Sequence, residues 1–197
     1  MKRVVYRSSL LGILILAAAG CSTAPKTTAE RMDLRSEADQ ALAKAQTNDP
    51  TLKPFIQNAA GYAVFPTVGK GGLVVGGAYG KGVLYEKGTP VAYCDLSQAS
   101  VGAQIGGQSY SEIICFETPQ ALAKFRTGEY TMSAQATAVA LKSGAAANAK
   151  YQDSVVAFTM DAAGLMAEAS IGGQKFSVAP MTMDEPVPAG SRMEPQR

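Results

Sequence analysis

The 197-residue sequence contains no histidine and only three cysteines. The lack of histidine excludes serine–histidine triads, histidine general bases and most zinc sites. Cys94 and Cys115 lack C-x-x-C spacing, and no serine lies in a G-x-S-x-G turn. The acidic residues of the central region are scattered singly: Asp95, Glu112, Glu117, Glu129 and Asp161. The sequence therefore predicts a protein that is not an enzyme and that uses neither a cofactor nor a metal.

The charge balance does not favour nucleic-acid binding. The full chain has 18 basic and 16 acidic residues. Lys2, Arg3 and Arg7 lie in a leader, and the 18 basic residues less these three leave 15 against 16 acidic ones. A nearly neutral mature chain lacks the basic surface that attracts nucleic acid.

The first 20 residues are typical of a secretory signal peptide. A basic start is followed by an apolar stretch, residues 10–19, that is too short for an ordinary membrane span. Ala18-Ala19-Gly20-Cys21 resembles a lipobox, in which Cys21 is acylated and becomes the new N-terminus. By resemblance to Gram-negative sorting, Ser22 then predicts the periplasmic side of the outer membrane, with surface exposure left open. The alternative is an ordinary signal peptide with an incidental cysteine.

The mature chain divides into three parts. Residues 21–28 are rich in Ser, Thr, Ala, Pro and Lys, and are predicted to be a flexible tether. Residues 180–197 are proline-rich without periodicity and are predicted to be a disordered tail. Residues 29–179 are enough for one domain with its own core.

Three helices are predicted from their capping residues. T-T-A-E at residues 27–30 is a capping box. It begins an amphipathic helix of about 18 residues that packs on its own domain or, alternatively, on a membrane surface. Asp49-Pro50 begins a second, short helix, and Thr118-Pro119 begins a third that ends at Gly128. The apolar face of the first helix is Leu34, Ala38, Ala41, Leu42 and Ala45.

From Tyr62 onward the dominant pattern is apolar alternation with period two, which predicts strands joined by hairpins. The predicted strands are residues 101–105, 111–116, 130–138, 154–160 and 165–171. Residues 131–149 are alanine-rich, so a helix there is the alternative. The two body cysteines lie in strands and form either a disulfide, which a cell-envelope location permits, or two buried thiols.

The glycines occur in a repeated phrase rather than in a nucleotide loop. The segment 61–85 fits neither the Walker A pattern nor G-x-G-x-x-G. Three glycine pairs each follow an apolar residue and precede an aromatic one: Gly76-Gly77, Gly106-Gly107 and Gly172-Gly173. Glycine pairs in strands mark bulges, bends or close backbone approach. They predict an α+β fold with a strongly curved antiparallel sheet or a partly closed barrel.

Several ordered motifs together resemble the SYLF domain family. They are G-Y-A-V-F-P at residues 61–66, K-G-G-L-V-V-G-G at 70–77, G-K-G-V-L-Y at 80–85, S-V-G-A-Q-I-G-G-Q at 100–108, G-L-M-A at 164–167 and S-I-G-G-Q at 170–174. The resemblance extends over roughly residues 35–178. It implies a lipid-binding module, since eukaryotic members bind phosphoinositides and a yeast branch binds actin, whereas bacterial members are mostly lipoproteins or secreted proteins.

The resemblance also suggests a place for lipid phosphates. Lys70 and Lys81 stand where the family keeps glycines and basic residues around bent strands, so they either meet lipid phosphates or are solvated turn residues. The expected partners are membrane lipids and, alternatively, a cell-envelope protein without a specific lipid ligand. The resemblance does not imply phosphoinositide specificity or actin binding for this chain.

Overall fold

The computed structural model describes residues 23–72, 75–101, 108–133, 136–161 and 168–182. Its helices are α1 (Thr28–Asn48), α2 (Lys53–Asn58) and α3 (Pro119–Arg126), with 3₁₀ turns at Pro50–Leu52 and Ala146–Asn148. Its strands are β1 (Gly61–Gly72), β2 (Val75–Glu86), β3 (Thr89–Val101), β4 (Gln108–Phe116), β5 (Thr137–Ala140), β6 (Val155–Asp161), β7 (Glu168–Ser170) and β8 (Lys175–Pro180). The signal peptide, Cys21, residues 102–105 of the predicted 101–105 strand, Gly106, Gly107 and the tail beyond residue 182 lie outside the described residues.

The helix ends follow the predicted caps. Thr27 and Glu30 form both bonds of a capping box, at 3.2 Å each, and the five predicted apolar residues of α1 are buried. α1 packs on the domain, against β1 and β2. Arg35, which is not on the apolar face, is buried as well. It is 3% exposed and its Nε donates to the Tyr93 hydroxyl at 3.0 Å.

Asp49 connects the end of α1 to a distant loop. Its carboxylate caps the 3₁₀ turn through Thr51, as the sequence predicts, and it also accepts from the Gly144 amide at 3.1 Å and the Ala146 amide at 2.7 Å. Burial raises the pKa of Asp49, but these hydrogen bonds outweigh it and leave the pKa below its ordinary value. A fully buried carboxylate therefore holds residues 144–146 against the helical layer.

The strands form one eight-stranded sheet in the order β7-β5-β6-β4-β1-β2-β3-β8. Among the described residues the strand pairs are antiparallel, as predicted, apart from the short parallel pair β5–β6. Of the predicted 130–138 strand, only residues 137 and 138 lie in β5, because residues 131 and 132 instead pair with residues 173–175 at the start of β8. β3 contains Cys94, which the sequence analysis places in a strand without giving that strand bounds.

The sheet is curled so far that its two ends are joined. β7 and β8 are the terminal strands of the sheet, yet only residues 171–174 separate them along the chain. The rings of Phe65 on β1 and Phe176 on β8 lie 6.0 Å apart, whereas three strand spacings along a flat sheet span about 14 Å. The prediction of a strongly curved sheet or partly closed barrel is confirmed, and we call residues 171–174 the seam.

The curled sheet separates two cores. The inner core lies inside the curl and is closed by α3; it includes Phe65, Leu84, Cys94, Ile114, Phe116, Phe125 and Phe176. The outer core lies under α1 and α2 and includes Leu42, Leu52, Val64, Tyr85, Ile113, Cys115 and Phe158. β1 bends at a β-bulge around Pro66, where its register shifts against both neighbours. Proline has no amide hydrogen to donate, so a bulge is the place in a sheet where it fits.

None of the helices in the described part of the chain is long and apolar enough to cross a bilayer.

Candidate functional site

Lys81 lies on the outer face of β2, next to the first described residues. Its ammonium is 3.7 Å from the Asp95 carboxylate and 3.5 Å from the carbonyl oxygen of Thr23. Burial raises the pKa of Asp95, and Lys81 together with hydrogen bonds from Thr23 and Tyr79 partly offsets that effect. The Tyr79 side chain is 46% exposed beside this pair.

Residues 23–25, which are part of the predicted tether, pack against the domain. Ala24 is half-buried against the outer core. Pro25 is buried, and its carbonyl accepts from the Arg31 Nε at 2.9 Å. A cavity of about 360 Å³ lies between this segment, Leu34 and Lys81. The chain that follows Cys21 is therefore positioned beside Lys81; we call Thr23, Lys26, Tyr79 and Lys81 the N-terminal patch.

Lys70 lies on the opposite face of the sheet. The bulge at Pro66 places Val68 in the inner core, so Lys70, two residues further along β1, also faces inward. It is half-buried, and its charge acts on the carboxyl group of Glu112. The two predicted lysines therefore do not form one cationic site.

A buried polar cluster lies on the inner face, formed by Tyr110, Glu112, Thr159 and Gln174 (the interior polar cluster). All four side chains are at most 3% exposed. Gln174 Nε2 donates to Glu112 Oε2 at 3.0 Å, and Thr159 lies directly opposite Glu112 in the β4–β6 register. Within the described part of the chain, Glu112 Oε1, Thr159 Oγ1 and Gln174 Oε1 have no hydrogen-bond partner.

Burial raises the pKa of Glu112 to about 7, although the Gln174 hydrogen bond and the Lys70 charge act to lower it. The pKa of Tyr110 is also raised, first by burial and then by the Glu112 charge. The cluster can therefore change its protonation near neutral pH. The described residues contain no group of three or more His, Cys, Asp or Glu side chains that could hold a metal ion.

Sequence reasoning did not find this cluster, because Glu112 was one of several isolated acidic residues. Gln174 is the last residue of the S-I-G-G-Q motif, and Gln98, on β3, donates to the carbonyl oxygen of Gly172 in the same motif at 2.9 Å. The sequence does contain one indication of the cluster. Glu112 and Gln174 are each a polar residue at a position where the surrounding pattern predicts an apolar one. The two residues are 62 positions apart in the sequence, so no local motif shows that they meet.

A groove of about 390 Å³ opens beside the seam. Its floor consists of apolar side chains of the inner core, Met132, Val155, Ala157 and Ile171, and Lys150 and Asp153 lie at its rim. This volume falls in the range of small-molecule sites, which are mostly apolar with a few polar groups.

The predicted structural glycines have different surroundings. A Cβ on Gly77 would lie 2.9 Å from the Gln98 carbonyl oxygen, so this strand passes close to its neighbour. Gly76, in β2, pairs with Gly72 of β1 and with Ser100 of β3. Gly172 and Gly173 lie in the seam, where Gly173 has φ +76°. The tightest contacts are at Gly82, where a Cβ would lie 2.6 Å from the Val64 carbonyl oxygen and from Phe65 Cδ1.

Cys94 and Cys115 are both free, buried thiols. Cys94 lies in the inner core and Cys115 in the outer core, and β1 and β2 lie between their strands. A disulfide needs Cα atoms within about 7 Å, so this arrangement excludes a disulfide between them. Burial raises the pKa of each thiol.

Residues 97–182 match the family model described as Ysc84, Las17-binding protein actin regulator. Over 154 residues the chain is 31% identical to Beta cell expansion factor A of Aeromonas veronii, an alignment that covers 77% of this chain and 59% of that protein. The chain thus spans less than two thirds of the length of this relative. The matched region contains both Glu112 and Gln174 together with α3 and β4 to β8. Residues 97–182 thus contain a domain of the SYLF family, which the upstream motifs at 61–85 also resemble.

Proposed function

We propose that the chain is a non-catalytic lipid-binding module, anchored by acylation of Cys21 to the periplasmic side of the outer membrane. The observation that carries the lipid ligand is the groove beside the seam. Its apolar floor suits hydrocarbon, and the Lys150 ammonium at its rim suits a lipid phosphate. A volume of about 390 Å³ holds part of one acyl chain rather than a whole phospholipid.

The N-terminal patch supports a defined orientation on the bilayer. Thr23 lies two residues after Cys21 and contacts Lys81. An acylated Cys21 would therefore hold this face against the membrane. The patch presents the exposed Tyr79 ring near two lysines, with the exposed Met32 on the adjoining helix. Aromatic rings and long cationic side chains are the groups that fit the interface between headgroups and hydrocarbon.

The lipid ligand is tested by flotation of the Cys21→Ser chain, which lacks acyl groups, with liposomes of phosphatidylglycerol, cardiolipin or phosphatidylethanolamine. We expect the chain to float with at least one of these lipids at low salt. Thr137→Trp fills the groove from an exposed position on its lining and is expected to lower the bound fraction about tenfold. Ser143→Trp adds the same side chain at an exposed position outside the groove, and should float like the parent.

The two predicted lysines provide a second comparison. Lys81→Ala removes a charge from the N-terminal patch and is expected to weaken flotation on anionic liposomes, whereas Lys70→Ala, on the inner face, is not. Both lysines are half-buried, so a thermal melt of each variant shows whether a change in flotation reflects lost binding or lost stability. Absence of flotation with all three lipids, together with a single saturating protein crosslink in cells, would instead favour a protein-interaction lipoprotein.

The anchor makes a separate prediction. Cys21→Ala is expected to leave the protein soluble in the periplasm or as an uncleaved precursor, because each buried CH₂ of an acyl chain contributes about 0.8 kcal/mol to membrane binding. Fractionation of cells in high salt measures this. A Cys21→Ala protein that still sediments with the outer membrane would show that anchoring does not depend on acylation.

A further inference from the structure

The seam closes the gap between the two ends of the sheet. Its backbone bonds run to residues 132 and 136: the Ile171 amide donates to Ala136, the Gly173 amide to Met132, and the Met132 amide to Gln174. Two side-chain bonds join the seam to strands, Gln98 to the Gly172 carbonyl and Gln174 to Glu112. Of these two bonds, the one from Gln174 has an ionisable acceptor, the Glu112 carboxyl group.

Glu112 is covered from inside the curl by the seam. The carboxyl group is fully buried, and Gln174, which covers it, is itself fully buried. Glu112 Oε1 has no partner within the described residues, and water would reach this oxygen once Gln174 moved away. An ionised carboxylate buried with an unpartnered oxygen is unfavourable, whereas a neutral carboxyl group can donate its proton to the neighbouring Thr159 or Gln174 oxygen.

We propose that the Glu112–Gln174 pair is a proton-controlled latch, which keeps the seam closed over the inner core while Glu112 is neutral and lets the seam open when Glu112 is ionised. Opening would expose the inner face next to β8, the strand that follows the seam. It would also widen the groove, whose floor includes Met132 and Ile171.

The charged groups around Glu112 determine the direction and range of this response. Among the described residues, Lys70 on β1 and Tyr110 on β4 are the titratable groups that act on it, while Thr159 on β6 and Gln174 in the seam are neutral. Burial raises the pKa of Glu112 from 4.5 to about 7 in the closed state. The closed state therefore binds more protons than the open one between these values, and acid favours closure. Opening becomes easier by up to about tenfold per pH unit across this window, and levels off above pH 7.

The two free cysteines provide matched probes of the opening. Cys94 lies on the inner face of β3 opposite Val178 of β8, whereas Cys115 lies under the helices in the outer core. The full chain is labelled with N-ethylmaleimide from pH 5 to pH 8, and each cysteine is quantified by peptide mass spectrometry. The ratio of the two rates cancels the pH dependence of maleimide chemistry. We expect the Cys94 to Cys115 ratio to rise about 40-fold from pH 5 to pH 7 and to level off within about twofold above pH 7.

Two variants test the role of the pair. Glu112→Gln keeps the side chain neutral and is expected to hold the ratio at its pH 5 value throughout. Gln174→Ala removes the other partner and should raise the ratio already at pH 5, while Gln120→Ala, at an exposed position on α3, should behave like the parent. A ratio that stays constant with pH in the parent chain, or that rises equally in Glu112→Gln, would overturn the latch. If Glu112→Gln does not fold, the parent and Gln174→Ala profiles decide alone.

Discussion

Replacing Asp49 with alanine is expected to lower the free energy of unfolding by about 3–5 kcal/mol, one of the two largest single-residue effects in the chain. The Asp49 carboxylate accepts from the amides of Thr51, Gly144 and Ala146 and from the Thr51 hydroxyl. Hydrogen bonds to charged groups contribute about 1.5–3 kcal/mol each, and amides left unpaired in a buried site add a desolvation penalty. Urea denaturation of both chains measures the difference.

Two controls separate this effect from a general loss of charge. Asp33→Ala removes an exposed carboxylate from α1 and should change stability by no more than about 0.5 kcal/mol. In Asp49→Asn the side-chain oxygen can still accept from Thr51 and Gly144, but the NH₂ group is a donor and cannot accept from the Ala146 amide. We therefore expect a loss of stability between those of the other two variants. If Asp49→Ala loses less than about 1 kcal/mol, the link between the helical layer and residues 144–146 contributes little to stability.

The contribution of Asp49 to stability is also expected to depend on pH. Because the folded-state pKa of Asp49 is depressed, the folded chain binds fewer protons than the unfolded chain around the ordinary carboxyl pKa. The contribution of Asp49 is therefore complete above the unfolded pKa of 3.8 and is lost as the pH falls through the folded value. The stability difference between the parent and Asp49→Ala should shrink in acid, and an unchanged difference at pH 2 would contradict this account.

The second large effect is expected at Gly82, where valine should destabilise the chain by about 3–5 kcal/mol. A Cβ here would lie 2.6 Å from the Val64 carbonyl oxygen and from the Phe65 ring, closer than van der Waals contact allows. The backbone at Val64 and a fully buried ring cannot both move without disturbing the bend at Pro66. A thermal melt of Gly82→Val compared with the parent measures this.

Valine at two further glycines tests whether the loss of stability follows the closeness of the steric contact. Gly77→Val places a Cβ 2.9 Å from the Gln98 carbonyl oxygen and is expected to cost on the order of 1–3 kcal/mol. At Gly69 a Cβ would meet nothing within 4 Å, and a strand position in open space accepts valine. Gly69→Val should therefore melt like the parent or slightly higher. Equal melting temperatures for all three variants would show that close packing at the bend is not what selects glycine.

The helix boundaries were determined by the sequence itself. Thr27 with Glu30, Asp49 with Thr51 and Thr118 with Ala121 form the predicted caps. These interactions join residues two or three positions apart, so the same short motif specifies them in almost any tertiary context. The glycine pairs and alternating apolar residues likewise predicted a curved sheet, because backbone bending and face burial are local consequences of residue type.

The tertiary structure alone decided which side chains meet. Simple alternation from Phe65 would have placed Lys70 on the outer face, but the bulge at Pro66 turns it toward Glu112. Cys94 and Cys115 were separated for a related reason, since strand order and register put them on opposite faces. A one-residue shift of register moves every side chain to the other face. Contacts such as Glu112 with Gln174 depend on strand pairing across the whole curl, which no short segment of the sequence encodes.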